Sequence, residues 1–342
     1  MKAYFIKRML LIIPTLLGIT IACFIIMQMV PGGPVEQALQ RLKHVGQGEA
    51  GVSSAGNLQT TLTNEELRNI QRYYGFDKPV LVRYFNWLQR LLRFDLGTSY
   101  NYEKPVTEVI LSRLPVSLTF GVAGLFFTYL ICIPLGIKKA LSHGQPFDNW
   151  SSVLIFLGYS IPGYALGVVL LVLFGGGSFW NLFPLSGVVS DNFEELTLLG
   201  KMWDYIHHMA LPLLCYVIGG FATLTLLMKN SLLEQMGQDY IRTALAKGVT
   251  YRQAVFRHAL QNALIPLATN IGMIISIILS GSMLIETVFT IDGIGLLGYQ
   301  SIVNRDYPVA LGLIVISSFL VLVGRILSDL CLIWVDPRIK FQ

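Results

Sequence analysis

The residues whose spacing comes nearest to a nucleophilic site are Gly158-Tyr159-Ser160-Ile161-Pro162-Gly163. They approximate the glycine-flanked serine turn that exposes a hydroxyl for attack. Such a serine needs a base within hydrogen-bond reach. The histidines nearest an apolar block are His207 and His208, at the outer end of a different block, and His44, His143 and His258 read as loop or surface residues. Ser160 is therefore read as a residue of a membrane span, not as a nucleophile. No H-E-x-x-H, G-x-S-x-G or C-x-x-C occurs, which sets aside the commonest zinc, serine-hydrolase and dithiol chemistries. Cys23, Cys132, Cys215 and Cys331 each lie inside an apolar block and read as small buried residues. There is also no G-x-x-x-x-G-K-[ST] loop, so the chain has no phosphate cradle of its own for ATP.

The elements that would position any site are membrane spans. Of 342 residues 54% are hydrophobic and 13% charged, against about 25% charged in soluble domains. The apolar blocks reach the roughly 17–25 residues a spanning helix needs. Six spans fit: 9–30, 118–137, 153–174, 210–228, 266–288 and 309–334. Basic residues at Lys7/Arg8, Lys138/Lys139, Arg242 to Arg257 and Arg338/Lys340 then fall on one side, which makes both termini cytoplasmic. The net charge of +5 collects beside spans and gives no reason to expect nucleic acid as a partner. Lys2, Lys7 and Arg8 precede an apolar run longer than a signal-peptide core, so a retained first span is expected. Ionisable residues within the spans are few: Glu286 near one end of the fifth, and Arg325 and Asp329 at i,i+4 spacing suited to pairing on the sixth.

The chain divides into 1–30 (N-terminus and first span), an external helical segment over 31–117, and a core of five spans over 118–342. Within the external segment 45–59 is Gly/Ser-rich and reads as a flexible stretch. Thr63 and Glu66 form a capping box, with Leu62 and Leu67 at staple spacing and Gly75 as a stop. Pro79 opens a second helix whose stripe is Leu81, Tyr84, Phe85, Leu88 and Leu92. That helix packs on the spans, or lies in the outer headgroup layer where Tyr and Trp87 are comfortable. Pro134, Pro162, Pro212, Gly158 and Gly163 predict kinks and close helix approach within the spans.

The longest polar, basic interruption of the second half runs from Asp239 to Pro266. Asp239 suits an N-cap or first turn, and Lys247-Gly248 a helix stop. Thr250 and Gln253 have capping-box spacing for a second helix. Gln253, Arg257 and Gln261 share one face of it, and Val255, Ala259 and Ala263 another. On the basic side of the spans, such a pair is a docking surface for a partner.

These residues resemble the cytoplasmic loop of binding-protein-dependent ABC importer permeases, whose pattern is E-A-A-x3-G-x9-I-x-L-P. Ala244, Gly248 and Leu260 match; Arg242 and Thr243 stand where Glu and Ala are usual, and His258 and Gln261 replace Ile and Pro. The form present, Asp-Tyr-Ile-Arg-Thr-Ala-x-Ala-Lys-Gly followed by Arg-His-Ala-Leu-x-Asn-Ala-Leu-x-Pro, is similar to that of peptide and nickel importer permeases. Further motifs follow in the family's order: Arg8 through Pro14, Pro31-Gly32, Leu96-Gly97-x-Ser99, Arg113-Leu114-Pro115, Ile133-Pro134-Leu135-Gly136 and Ser160-Ile161-Pro162. After them come Glu286-Thr287-Val288-Phe289, Gly293-Ile294-Gly295 and Arg305-Asp306-Tyr307-Pro308. Asp292 in place of the usual Pro, the longer stretch at 41–60, and the Asp336-Pro337-Arg338 ending resemble the Yej-type peptide permeases.

The resemblance implies an all-α integral membrane protein with the type I ABC importer transmembrane fold, in the inner membrane of a bacterium. It implies four kinds of partner: a second, similar permease, two ABC ATPase domains that bind the ATP and magnesium, a periplasmic peptide-binding protein, and the peptide. No cofactor is expected on this chain. The 237–266 region becomes the expected ATPase-coupling loop, with Asp239, Arg242, Thr243, Ala244, Lys247, Gly248, Arg252, Arg257, His258, Leu260, Asn262 and Pro266 as its candidate residues. For the translocation path the candidates are Tyr159, Ser160, Tyr164, Ser276, Ser280 and Glu286, although interhelical packing accounts for the same residues. Alternatives are a permease for nickel or another small solute, an ATP-independent channel, and an intramembrane hydrolase using Ser160.

Overall fold

Apolar blocks too long for a soluble core form long helices. Helix α1 is Lys2–Met29, and its Ile6–Ile26 stretch has a mean hydropathy of 2.7. The computed structural model describes residues 2–29, 78–176, 179–269 and 281–335. The Gly/Ser-rich 45–59 stretch, the helix expected after Thr63, and Ser276 and Ser280 lie outside the described residues. After α2 (Val80–Leu92) come α3 (Val106–Leu141), α4 (Pro146–Ser160), α5 (Gly163–Phe174) and α6 (Leu198–Met236). α3 and α6 hold 36 and 39 residues, or about 54 and 58 Å at 1.5 Å per residue. A hydrocarbon core of about 30 Å leaves several turns of each outside it. The spans expected at 118–137 and 210–228 are the middles of these helices. The chain ends in α9 (Met283–Val288), α10 (Ile294–Val303) and α11 (Tyr307–Val335).

Among the described residues, four helices are long and apolar enough to cross a membrane, or five if α4 and α5 count as one span. The sequence predicts one third span over 153–174, kinked near Pro162. The chain instead makes two helices at 90° to each other. Pro162 has no N–H to continue the helix and forces Ile161 into extended backbone, φ −94 and ψ 118. Isoleucine, leucine and methionine side chains along α1 are exposed, including Ile6, Met9, Leu10, Ile13, Ile21 and Ile26. An apolar surface of that length suits lipid and not water.

By internal packing the chain falls into two units. The first comprises Met1–Leu11, Arg113–Leu297 and Phe319–Gln342. One of its cores is Phe120, Met209, Leu211 and Cys215 against Ile285, Phe289 and Ile291. The other is Ala140, Met228 and Leu232 against Ile241, Ala254, Val255, Ala259, Ala263 and Leu267. Asp329 does not take the expected Arg325. It pairs with Arg8, whose guanidinium also donates to the Arg325 carbonyl at 3.4 Å.

The second unit comprises Ile12–Ser112 and Gly298–Ser318. The Tyr84 and Thr20 hydroxyls share a hydrogen bond of 3.1 Å, and Phe24 packs edge-on to Tyr84 and near Trp87. α2 thus packs on a span along one edge, while Leu81, Phe85 and Leu92 stay exposed. Two motifs far apart in the sequence meet in this unit. The fully buried Asp306 carboxylate accepts the Ser99 hydroxyl at 2.5 Å and the N–H groups of Tyr100 (3.1 Å) and Asn101 (3.2 Å). A buried carboxylate persists only when it is paired in this way.

Candidate coupling surface

α6 ends at Met236, and the chain turns through Gly237 and Gln238 into α7, Asp239–Ala246. Gln238 is the N-cap; Asp239 is the first-turn acid, which favours the positive end of the helix dipole. α7 stops where the sequence predicts. Lys247 is the C-cap and Gly248 has φ +87. The Gly248 N–H donates to the Leu245 carbonyl at 3.0 Å and the Val249 N–H to the Ala244 carbonyl at 3.2 Å. That pair of bonds is a Schellman turn, and Val249 adds its usual apolar contact by packing on the core. A Cβ built on Gly248 meets nothing of this chain within 4 Å. Glycine there satisfies the backbone conformation and leaves open space beside it.

The second helix, α8, is three consecutive pieces: Tyr251–Gln253, a π turn over Ala254–Ala259, and Leu260–Ala263. Thr250 caps it by accepting the Gln253 N–H at 3.4 Å, which forms the threonine half of the capping box. Ala254, Val255, Ala259 and Ala263 are buried, whereas Gln253, Arg257 and Gln261 are exposed, the two faces expected from the spacing. Three alanines on the buried face bring the α8 backbone close to Met228 and Leu232 of α6. The Ser231 hydroxyl donates to the Ala263 carbonyl at 2.9 Å within that contact. Tyr240 ties the pieces together: its hydroxyl donates to Gln235 at 2.8 Å and accepts from Asn262 at 3.1 Å. Pro266 sits near the start of the helical stretch 265–269, where a missing N–H does no harm.

Two family departures acquire local partners. The Thr243 hydroxyl donates to the Asp239 carbonyl of its own helix at 2.9 Å. Arg242 lies 3.5 Å from the Asp239 carboxylate, an exposed pair that contributes little. Arg242, Thr243, Lys247, Gly248, Arg252, Arg257 and His258 are all exposed, and Ala244, Leu260, Asn262 and Pro266 are half-buried. Sequence reasoning missed Tyr251 and Phe256, 55% and 44% exposed among these cations. Their signal was available, because neither belongs to the Val255/Ala259/Ala263 stripe. Exposed aromatic rings between guanidinium groups have the composition of a protein interface.

The path candidates are dispersed. Tyr159 and Tyr164 are exposed on either side of the α4–α5 break. The Ser160 hydroxyl donates to the Phe156 carbonyl at 2.8 Å, a bond within its own helix. His207 meets the Leu182 carbonyl at 2.7 Å and His208 the Asp204 carbonyl at 2.9 Å. Glu286 is enclosed, 1% exposed. Its carboxylate accepts the N–H groups of Leu296 (2.7 Å) and Ser282 (3.0 Å) and the Tyr216 hydroxyl (3.4 Å). A Cβ on Gly293 would lie 2.5 Å from its carboxyl carbon. The Glu286 and Gly293–Gly295 motifs therefore form one turn, built around a buried carboxylate. Asp292, where the family usually has proline, accepts from Arg113 Nε at 3.0 Å.

Comparison with known proteins agrees with these motifs over the whole chain. It is 42% identical to the peptidoglycan transport system permease protein YejB of Agrobacterium fabrum (strain C58 / ATCC 33970), over 100% of this chain and 99% of that one. It is 35% identical to the oligopeptide transport system permease protein AppB of Bacillus subtilis (strain 168), over 100% of both. Among solved structures it is similar to the MetNI methionine ABC transporter in inward-facing conformations, with a TM-score of 0.49, 19% identity and coverage of 67% of this chain and 97% of that one. Residues 132–341 match the family described as binding-protein-dependent transport system inner membrane component. The chain, a multi-pass inner-membrane protein, belongs to that family.

Proposed function

We propose that the chain is a permease subunit of an ATP-driven importer that moves peptides, or peptide-bearing compounds, from periplasm to cytoplasm. The observation that carries this reading is full-length similarity to permeases named for peptidoglycan and oligopeptide transport, together with an exposed basic and aromatic surface on α7 and α8. Both substrate names share the peptide backbone, a chemistry of repeated donors and acceptors with varied side chains. A path for it needs modest polarity and few fixed charges, for which the exposed Tyr159 and Tyr164 are suited. Glu286 leaves the path in this reading and holds the turn between α9 and α10.

The α7–α8 surface faces the cytoplasm and seats on an ATPase domain, while a second, similar permease completes the path and a periplasmic binding protein delivers the peptide. A partner shifts an inward–outward equilibrium only by binding the two states differently. An ATPase that opens and closes against α7 and α8 supplies that difference. The test is reconstitution of the purified complex in proteoliposomes with its binding protein. ATP-dependent accumulation of radiolabelled short peptides is expected; conduction without ATP by this chain alone would establish a channel instead.

A further inference from the structure

One end of the first unit holds a buried ionic group that the coupling surface does not include. Lys139, in the last turn of α3, is 0% exposed, and Asp148, in the first turn of α4, is 3% exposed. Lys229 of α6 joins them, also buried. The Lys229 ammonium donates to both Asp148 carboxylate oxygens at 2.8 Å. Lys139 lies 3.1 Å from the same carboxylate, and donates to the Asp148 carbonyl (2.9 Å), Ser151 Oγ (2.7 Å) and Ser152 Oγ (2.8 Å). The Gly144 N–H donates to the carboxylate at 3.2 Å, and His143 lies 3.3 Å away. From the sequence, Lys139 reads as one of the charges marking the basic side, and Lys229 follows the span expected at 210–228. They are structural cations, and lysine is almost never buried without a partner.

The neighbours of these residues hold the coupling surface. Met228 and Leu232 flank Lys229, and Ala140 follows Lys139; all three pack in the core with Ile241, Ala254, Val255, Ala259 and Ala263. Apolar packing is non-directional and leaves helices able to slide. Directed bonds from two helices to a carboxylate on a third permit a single register.

We infer that Lys139, Asp148 and Lys229 form a positioning group that makes α3, α4 and α6 follow the α7–α8 surface as one body. This rests on the proposed ATPase coupling, and the charges select the variant that tests it. Two ammonium groups face one carboxylate, so Asp148→Asn would strand two buried cations, and loss of assembly there would say nothing about movement. Lys229→Met leaves a neutral Lys139–Asp148 pair joining α3 to α4 and cuts the ionic tie to α6. Lys229→Arg keeps that tie.

Each variant is made in the full complex, with the four cysteines replaced and Trp150→Cys, exposed on α4 and outside the path candidates, as a maleimide target. Two quantities are read: ATP hydrolysed per radiolabelled mixed short peptide imported, and the ATP-induced change in maleimide labelling rate. Lys229→Met is expected to assemble and hydrolyse ATP, with the ATP-to-peptide ratio raised about 2- to 30-fold and the labelling change lost. Lys229→Arg should retain both. A Lys229→Met complex that couples and labels like the parent overturns the inference. So does one that fails to assemble while Lys229→Arg is normal, which would make the group a folding element. Labelling needs no peptide, so a parent complex that shows the ATP-induced change without uptake counts against the peptide reading alone.

Discussion

Replacing Gly248 separates backbone conformation from docking. The residue sits at φ +87, where an L side chain costs about 1–2 kcal/mol, and asparagine tolerates that region better than alanine or valine. Nothing of the chain lies within 4 Å of an added Cβ, so no internal clash adds to that figure. Gly248→Asn should preserve the Schellman bonds to Ala244 and Leu245, while Gly248→Val strains them. Both fill the open space beside the turn. If an ATPase groove closes on that space, overpacking should weaken docking by about 1–3 kcal/mol, with membrane insertion unaffected. The assay is retention of the ATPase subunits on the purified permease through size exclusion, then the ratio of peptide uptake to ATP hydrolysis in proteoliposomes. Asn and Val are both expected to lose ATPase subunits or coupling, Val more severely. A Gly248→Val complex with parental assembly and uptake would refute the argument that a partner approaches the glycine.

Three further substitutions test other contacts. Ala259→Leu puts a large side chain into the fully buried contact between α8 and α6; it should destabilise the chain by about 1–3 kcal/mol and lower complex yield, read as a fall in detergent melting temperature. Gly293→Ala places a Cβ 2.5 Å from the Glu286 carboxyl carbon. A loss of about 1–3 kcal/mol should appear in the same melt, and an unchanged melting temperature would mean that the turn has room to relax. Asp306→Asn keeps the shape but sets an amide donor against either the Tyr100 N–H or the Ser99 and Asn101 donors. The expected loss is about 1–3 kcal/mol, with faster proteolysis at 94–105 as the local signature.

What could be read from the sequence was local in origin. The Lys247-Gly248 stop, the Thr250 cap and the Val255/Ala259/Ala263 stripe each depend on residues within a turn or two, and each stands where its spacing put it. Apolar length likewise located the middles of α1, α3, α6 and α11. The π turn over Ala254–Ala259 had no such signal, because it answers to packing against α6. Pro162 predicted a kink; a 90° break was beyond what one proline specifies, since neighbouring helices decide how far the chain turns. The polar groups were hardest to place. Asp148 and Lys229 are 81 positions apart, and Ser99 and Asp306 are 207 apart. The positive-inside pattern explains Lys139 and Lys229 equally well as exposed residues. Asp329 had an adjacent candidate in Arg325, yet its partner is Arg8 from the other end of the chain. Glu286 looked like a path residue because a carboxylate at a span end is rare, and the backbone N–H groups that enclose it cannot be read from residue types.

Coupling in this reading depends on α7 and α8 seating on an ATPase subunit. A photo-crosslinking residue at the exposed Tyr251, illuminated in the assembled complex, reads that contact. A covalent adduct with the ATPase is expected, its yield changing between the nucleotide-free and ATP-bound states. An assembled, ATP-hydrolysing complex in which Tyr251 captures lipid or nothing at all, in both states, would contradict it.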